Sequence, residues 1–161
     1  MRLFAILILM VMGSSLAQAS DEASSTPMRD RPSVRMVGNS AKLNVVVNIV
    51  TELVSGRDPR LPMCAGTTHP CRGVEHLQIT VNDRNLFVPV SAFLDISDLR
   101  EGIITFSGNE ATLSLKGGDA SESYLVNIRF NENRVLTRAL FSMLTPDEPL
   151  QETTYHEVVI D

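Results

Sequence analysis

Hydrophobic and polar residues alternate with a period of two over most of the chain beyond residue 42. Leu77, Ile79 and Val81 alternate with Gln78 and Thr80, and Ala111, Leu113 and Leu115 with Thr112 and Ser114. Tyr124, Val126, Ile128 and Phe130 alternate with Asn127 and Arg129. This period marks half-buried β-strands. Leu43–Val50 is rich in β-branched residues. Leu43, Val46, Val47, Val50 and Val54 also fit a helical stripe, but Val and Asn are poor helix formers, so a strand is expected.

The punctuation between these runs is equally regular. Ser55–Gly73 reads as a long turn-rich loop with Pro59, Pro62, Pro70 and both cysteines. Glu75–Val81 forms a strand, and Asn82–Asn85 a hairpin connection into a strand over Leu86–Val90 that Pro89 ends or confines to an edge. Ser91 is placed to cap a short helix with Ala92, Ile96 and Leu99 on one face, stopped by Gly102. Strands follow over Ile103–Phe106, Glu110–Lys116, Tyr124–Phe130 and Val135–Met143. Pro146 and Pro149 mark a loop before a closing strand, Thr153–Ile160. Strands spaced by about ten residues and joined by short polar turns predict an all-β fold with minor α content. The expected architecture is an antiparallel β-sandwich or small barrel of about 7–8 strands with one short helix.

The first residues break this rhythm. One positive charge at Arg2, an unbroken apolar run from Leu3 to Met12, and the small-residue exit Ala17-Gln18-Ala19 have the order of a secretory signal peptide. The run is too short for a bilayer core of about 30 Å, so cleavage after residue 19 is expected, with a periplasmic or secreted product. Residues 20–41, rich in Ser, Pro and interleaved charge, read as a flexible leader. Residues 42–161 then form a single β-rich domain.

Composition narrows the function. All 19 acidic residues and 13 of the 14 basic ones follow residue 19, so the mature chain carries a net charge of −6. Such a balance disfavours nucleic acid and anionic membrane as partners. There is no Trp, and only Tyr124 and Tyr155 as tyrosines, which leaves few flat faces for stacking sugars or bases. No apolar stretch after the signal approaches membrane-spanning length, so no membrane insertion is expected once the signal is removed.

Two segments could carry chemistry. Cys64 and Cys71 lie close in sequence, and in an oxidising compartment such a pair is most simply a disulfide. With His69 and His76 they also form a Cys-x4-His-x-Cys-x4-His run of zinc or copper ligand types, a metal-handling alternative with the wrong spacing for a zinc finger. The second segment is Gly117–Tyr124, where Asp119, Ser121, Glu122 and Tyr124 form a candidate contact loop for another protein. Its plainer reading is a solvated hairpin loop with Tyr124 facing the core in phase with Val126.

No G-x-S-x-G, S-x-x-K, H-E-x-x-H or phosphate-cradling glycine motif occurs after the signal, so neither catalysis nor a cofactor is expected. In size, export signal, β-rich pattern and short-range cysteine pair, the chain is similar to bacterial periplasmic lysozyme inhibitors. Those are small exported β-proteins that insert a loop into an enzyme's cleft. The similarity is one of architecture, with no inhibitor motif to carry over residue by residue. The expected function is a non-catalytic binding domain contacting another protein in the cell envelope, in an inhibitor-like or accessory role. The alternative from another class is a small-ligand carrier with a barrel cavity lined by residues such as Leu113, Val126, Ile128 and Phe141.

Overall fold

Adjacent strands pair in antiparallel fashion throughout the computed structural model, which describes residues 25–54, 71–119 and 122–156. The strands are β1 (Thr26–Pro27), β2 (Ser33–Asn39), β3 (Asn44–Val54), β4 (Cys71–Val81), β5 (Arg84–Asn85), β6 (Leu99–Ser107), β7 (Glu110–Gly117), β8 (Tyr124–Asn131), β9 (Val135–Ser142) and β10 (Thr145–Thr154). They form a six-stranded sheet in the order β1-β6-β7-β8-β9-β10 and a four-stranded sheet in the order β2-β3-β4-β5. The result is sandwich-like.

One apolar cluster fills the space between the sheets. Val45, Val47 and Ile49 of β3 and Leu77, Ile79 and Val81 of β4 belong to it together with Leu113 and Leu115 of β7 and Val126, Ile128 and Phe130 of β8. Period-two alternation sends these residues to one face of each strand, leaving Asn48, Gln78, Ser114 and Asn127 on the other. In β4 the alternation slips once. Val50 faces His76 and Thr51 faces Val74, so Glu75 is an extra residue that bulges out, leaving Glu75 and His76 both exposed.

Several sequence expectations are corrected. Part of the expected leader is integral to the fold. β2 pairs with β3 from Ser33↔Val50 to Asn39↔Asn44 and buries Val34 and Met36, while β1 pairs with β6 and Met28 is buried beside it. The Ser- and Pro-rich average of residues 20–41 masks this short alternation. Gly102 does not stop a helix but lies within β6, where a Cβ would run into Met28 and come 2.9 Å from the Met36 sulfur. Its lack of a side chain is what admits the two methionines.

The expected helix after Ser91 reduces to a single 3-10 turn, Val90–Ala92, entered from Pro89 with no side-chain cap. Ala92 and Ile96 are buried as their spacing predicts. The Ile96 amide, however, donates to Phe93 O at 3.0 Å, and the Ala92 carbonyl that an α-helix would offer it accepts Arg138 Nε at 3.2 Å instead. A tertiary contact has taken the acceptor the helix needed. Leu86–Pro89 is not a strand, and Phe87 is fully displayed to solvent. Pro146 and Pro149 lie inside β10, an edge strand of the larger sheet, where Pro is tolerated because the strand pairs on one side only and two register shifts absorb the irregularity. β10 ends at Thr154; the rest of the expected closing strand, from residue 157, lies outside the described residues.

Candidate functional site

The expected contact loop separates into its parts. Asp119 and Glu122 are exposed, Ser121 lies outside the described residues, and Tyr124 is buried at 2% exposure. Tyr124 therefore belongs to the core and not to a contact surface. It begins β8 in phase with Val126, and its hydroxyl accepts the Ser97 amide at 2.8 Å and donates to the Ser97 carbonyl. Burial pushes its phenol well above the ordinary value, and the nearby Asp95 and Asp98 charges add to that push against the opposing hydrogen bond from the Ser97 backbone.

The other expected clusters do not converge either. Cys71 is buried beside Val54 and carries no free thiol, whereas Cys64 and His69 lie outside the described residues. His76 is exposed on β4. Among the described residues no group of three His, Cys, Asp or Glu side chains is placed to hold a metal ion. Leu113, Val126 and Ile128 are packed into the core, and Phe141 pairs with the outward-facing Leu125 on the opposite face of the sheet.

A different feature gathers polar groups. A cleft of about 500 Å³ is lined by Arg29, Arg31, Arg72 and Arg100, by Asp30, Asp98 and Asp119, and by the apolar Met28, Leu53 and Leu99. It sits where the chain twice passes from one sheet to the other. Residues 28–32 carry it from β1 to β2, and residues 96–100 carry it from the 3-10 turn into β6. Both crossovers are pinned. Met28 N donates to Arg100 O at 2.9 Å, Val74 N to Ile96 O at 2.9 Å, and Asp98 N to Arg72 O at 2.8 Å. Asp30 (φ 60°) and Asp98 (φ 46°), both on this cleft, occupy the left-handed region that Asp tolerates better than most residues.

Arg72 is the best-oriented cation here. Its Nε donates to Thr51 Oγ1 at 2.9 Å and its Nη2 to Thr51 O at 2.7 Å. Thr51, itself buried, donates its hydroxyl to Arg31 O at 2.8 Å. Among the described residues the partners of the Arg72 guanidinium are thus neutral, while the Asp98 carboxylate is turned to the Arg72 backbone amide at 3.1 Å. Arg100 differs, because Asp119 Oδ1 lies 2.5 Å from its Nη2. The lining carries four positive and three negative side chains, a local excess of one positive charge on an acidic protein.

No protein-family model, curated protein or solved structure matches the chain. Sequence reasoning missed these arginines because they are scattered from Arg29 to Arg100 without a motif. The visible trace was the Arg29-Asp30-Arg31 triplet, inside a segment read as leader.

Proposed function

We propose that this chain is an exported, non-catalytic binding domain that contacts another protein of the cell envelope through the arginine-lined cleft. The observation that carries the reading is Arg72, a guanidinium held by Thr51 with no carboxylate partner among the described residues, at the wall of a cleft with apolar groups beside it. Arginine with an oriented fork and a nearby apolar surface is a common anchor of protein interfaces. In this reading an inhibitor-like or accessory role is exerted by occupying an acidic segment of the partner. Export after residue 19 and a Cys64–Cys71 disulfide are part of the proposal, supported by the leading apolar run and by the absence of a free thiol at Cys71.

A photo-crosslinking residue at Leu53, which is 62% exposed on the cleft, tests the reading in cells of the source organism. The expected result is a discrete protein adduct that is absent when the same residue replaces the exposed Glu132 in the β8–β9 turn. Equal labelling from both positions, or none from Leu53, overturns it.

A further inference from the structure

The cleft offers more than positive charge: it offers one particular edge of one guanidinium. Arg72 spends its Nε and one Nη2 hydrogen on Thr51. These two donors form the side-on fork, so the opposite fork, made by Nη1 and the second Nη2 hydrogen, is left uncommitted among the described residues. A planar fork with two parallel N–H groups matches the two oxygens of a carboxylate. Arg31, whose carbonyl is tied to the same Thr51, adds a second cation to the lining without an ion pair among the described residues.

We infer that the cleft receives a single carboxylate, docked end-on on Arg72, and that Asp119 acts on the neighbouring Arg100 as a tethered competitor for the same ligand. This deepens the cleft reading above and rests on it. The charge of the lining selects the ligand class. With Asp30, Asp98 and Asp119 against four arginines, one negative charge is matched, and a dianion such as phosphate meets uncompensated repulsion. Met28, Leu53 and Leu99 supply apolar wall for hydrocarbon beside the carboxylate, which suits an acidic side chain flanked by aliphatic residues. The Arg100–Asp119 pair is a built-in example of the same chemistry. Its side chains are 36% and 75% exposed, so it contributes little and yields readily to a better-placed anion.

Calorimetric titration of the mature chain with the peptide N-acetyl-Leu-Asp-Leu-amide tests this. The Asp peptide should bind, and its Asn analogue should bind about tenfold or more weakly, the loss expected for a charged bidentate contact. Arg72→Lys, which keeps the charge and loses the fork, should cost about tenfold, and Arg31→Gln should weaken binding with an unchanged melting curve. Asp119→Asn should tighten binding by about two- to fivefold, the size of an exposed ion pair.

Equal binding of the Asp and Asn peptides, or an unchanged affinity in Arg72→Lys, overturns the carboxylate subsite. So does tighter binding of inorganic phosphate, or no binding of any probe. A Leu53 adduct obtained alongside any of these leaves the protein-contact reading standing. Hexanoate binding as well as the Asp peptide supports the subsite while turning the proposed function from a protein partner to a free small acid.

Discussion

Tyr124 and Ser97 are joined by a reciprocal backbone clasp: the phenol hydroxyl accepts the Ser97 amide at 2.8 Å and donates to the carbonyl of the same residue. Ser97 in turn bridges to Gly73 of β4, so the clasp ties β8 of the larger sheet to the smaller one through the crossover segment. Tyr124→Phe should leave a buried donor and a buried acceptor without partners. The expected loss is about 2–4 kcal/mol in urea unfolding, with cleft binding unchanged in the folded fraction.

The same phenol sets an alkaline limit. Its folded-state value lies above the unfolded one, so below about pH 10 both states hold the proton and stability is unaffected. Above about pH 10 the unfolded chain releases the proton while the folded chain keeps it, and stability falls by about 1.4 kcal/mol per pH unit. Urea midpoints measured between pH 9 and 11.5 should show this slope in the wild type and a flatter one in Tyr124→Phe.

Gly117, opposite Tyr124 in the β7–β8 ladder, is required by that clasp. A Cβ there would overlap the Tyr124 hydroxyl and stand 2.7 Å from the Ser97 carbonyl oxygen. Gly117→Ala should therefore cost about 1–3 kcal/mol. Combined with Tyr124→Phe it should cost somewhat less than the sum of the two, because the nearest colliding atom, the hydroxyl, is gone, while the ring carbon at 2.6 Å and the Ser97 carbonyl oxygen remain in the way. Additivity in that double-mutant cycle would refute the packing argument.

The Arg138–Asp95 pair should respond asymmetrically. Arg138 is 1% exposed and Asp95 39%, with Arg138 Nη2 2.7 Å from both carboxylate oxygens. Asp95→Ala strands a buried cation and should destabilise by about 3 kcal/mol or more. Arg138→Met leaves a carboxylate that water can reach and fills the space with apolar volume, so it should cost less. Hydrogen exchange over residues 90–96 should quicken in both variants, since Arg138 also holds the Ala92 carbonyl.

The N-terminal boundary is testable by truncation. A chain beginning at residue 42 loses β1 and β2, and with them Met28, Val34 and Met36 from the core. It should aggregate or give a molten circular-dichroism spectrum, while a chain beginning at residue 25 should unfold cooperatively. Within the longer chain, Met36→Ala should cost about 2–5 kcal/mol. A stable, cooperative domain from residue 42 onward would show that the leader expectation was right after all.

The cysteine proposal has its own measurement. Closing the short ring between Cys64 and Cys71 should contribute about 2.5 kcal/mol on the chain-entropy account. Reduction should lower the urea midpoint accordingly, and the intact mass of the isolated protein should be two hydrogens below that of the dithiol. Two titratable thiols in protein taken from the envelope would reject the disulfide.

The all-β class and most strands were legible in the linear pattern, because alternation sorts residues to two faces whatever the sheet order. The turns at Gly108-Asn109 and Asn82-Asp83 were legible for the same local reason, since those residues tolerate the required backbone. What the linear pattern could not supply was competition between distant groups. Arg138 captured the carbonyl that would have propagated a helix after Ser91. Gly102 made room for Met28 and Met36 and so drew the supposed leader into the core. Alternation with Val126 already allowed Tyr124 a core-facing side chain, but it could not name the Ser97 backbone as the partner of its hydroxyl. The arginine cleft is of the same kind: its lining comes from five separate stretches that meet because the chain changes sheets twice at one place. Periodicity is a property of neighbours in sequence, whereas a cleft is a property of neighbours in space.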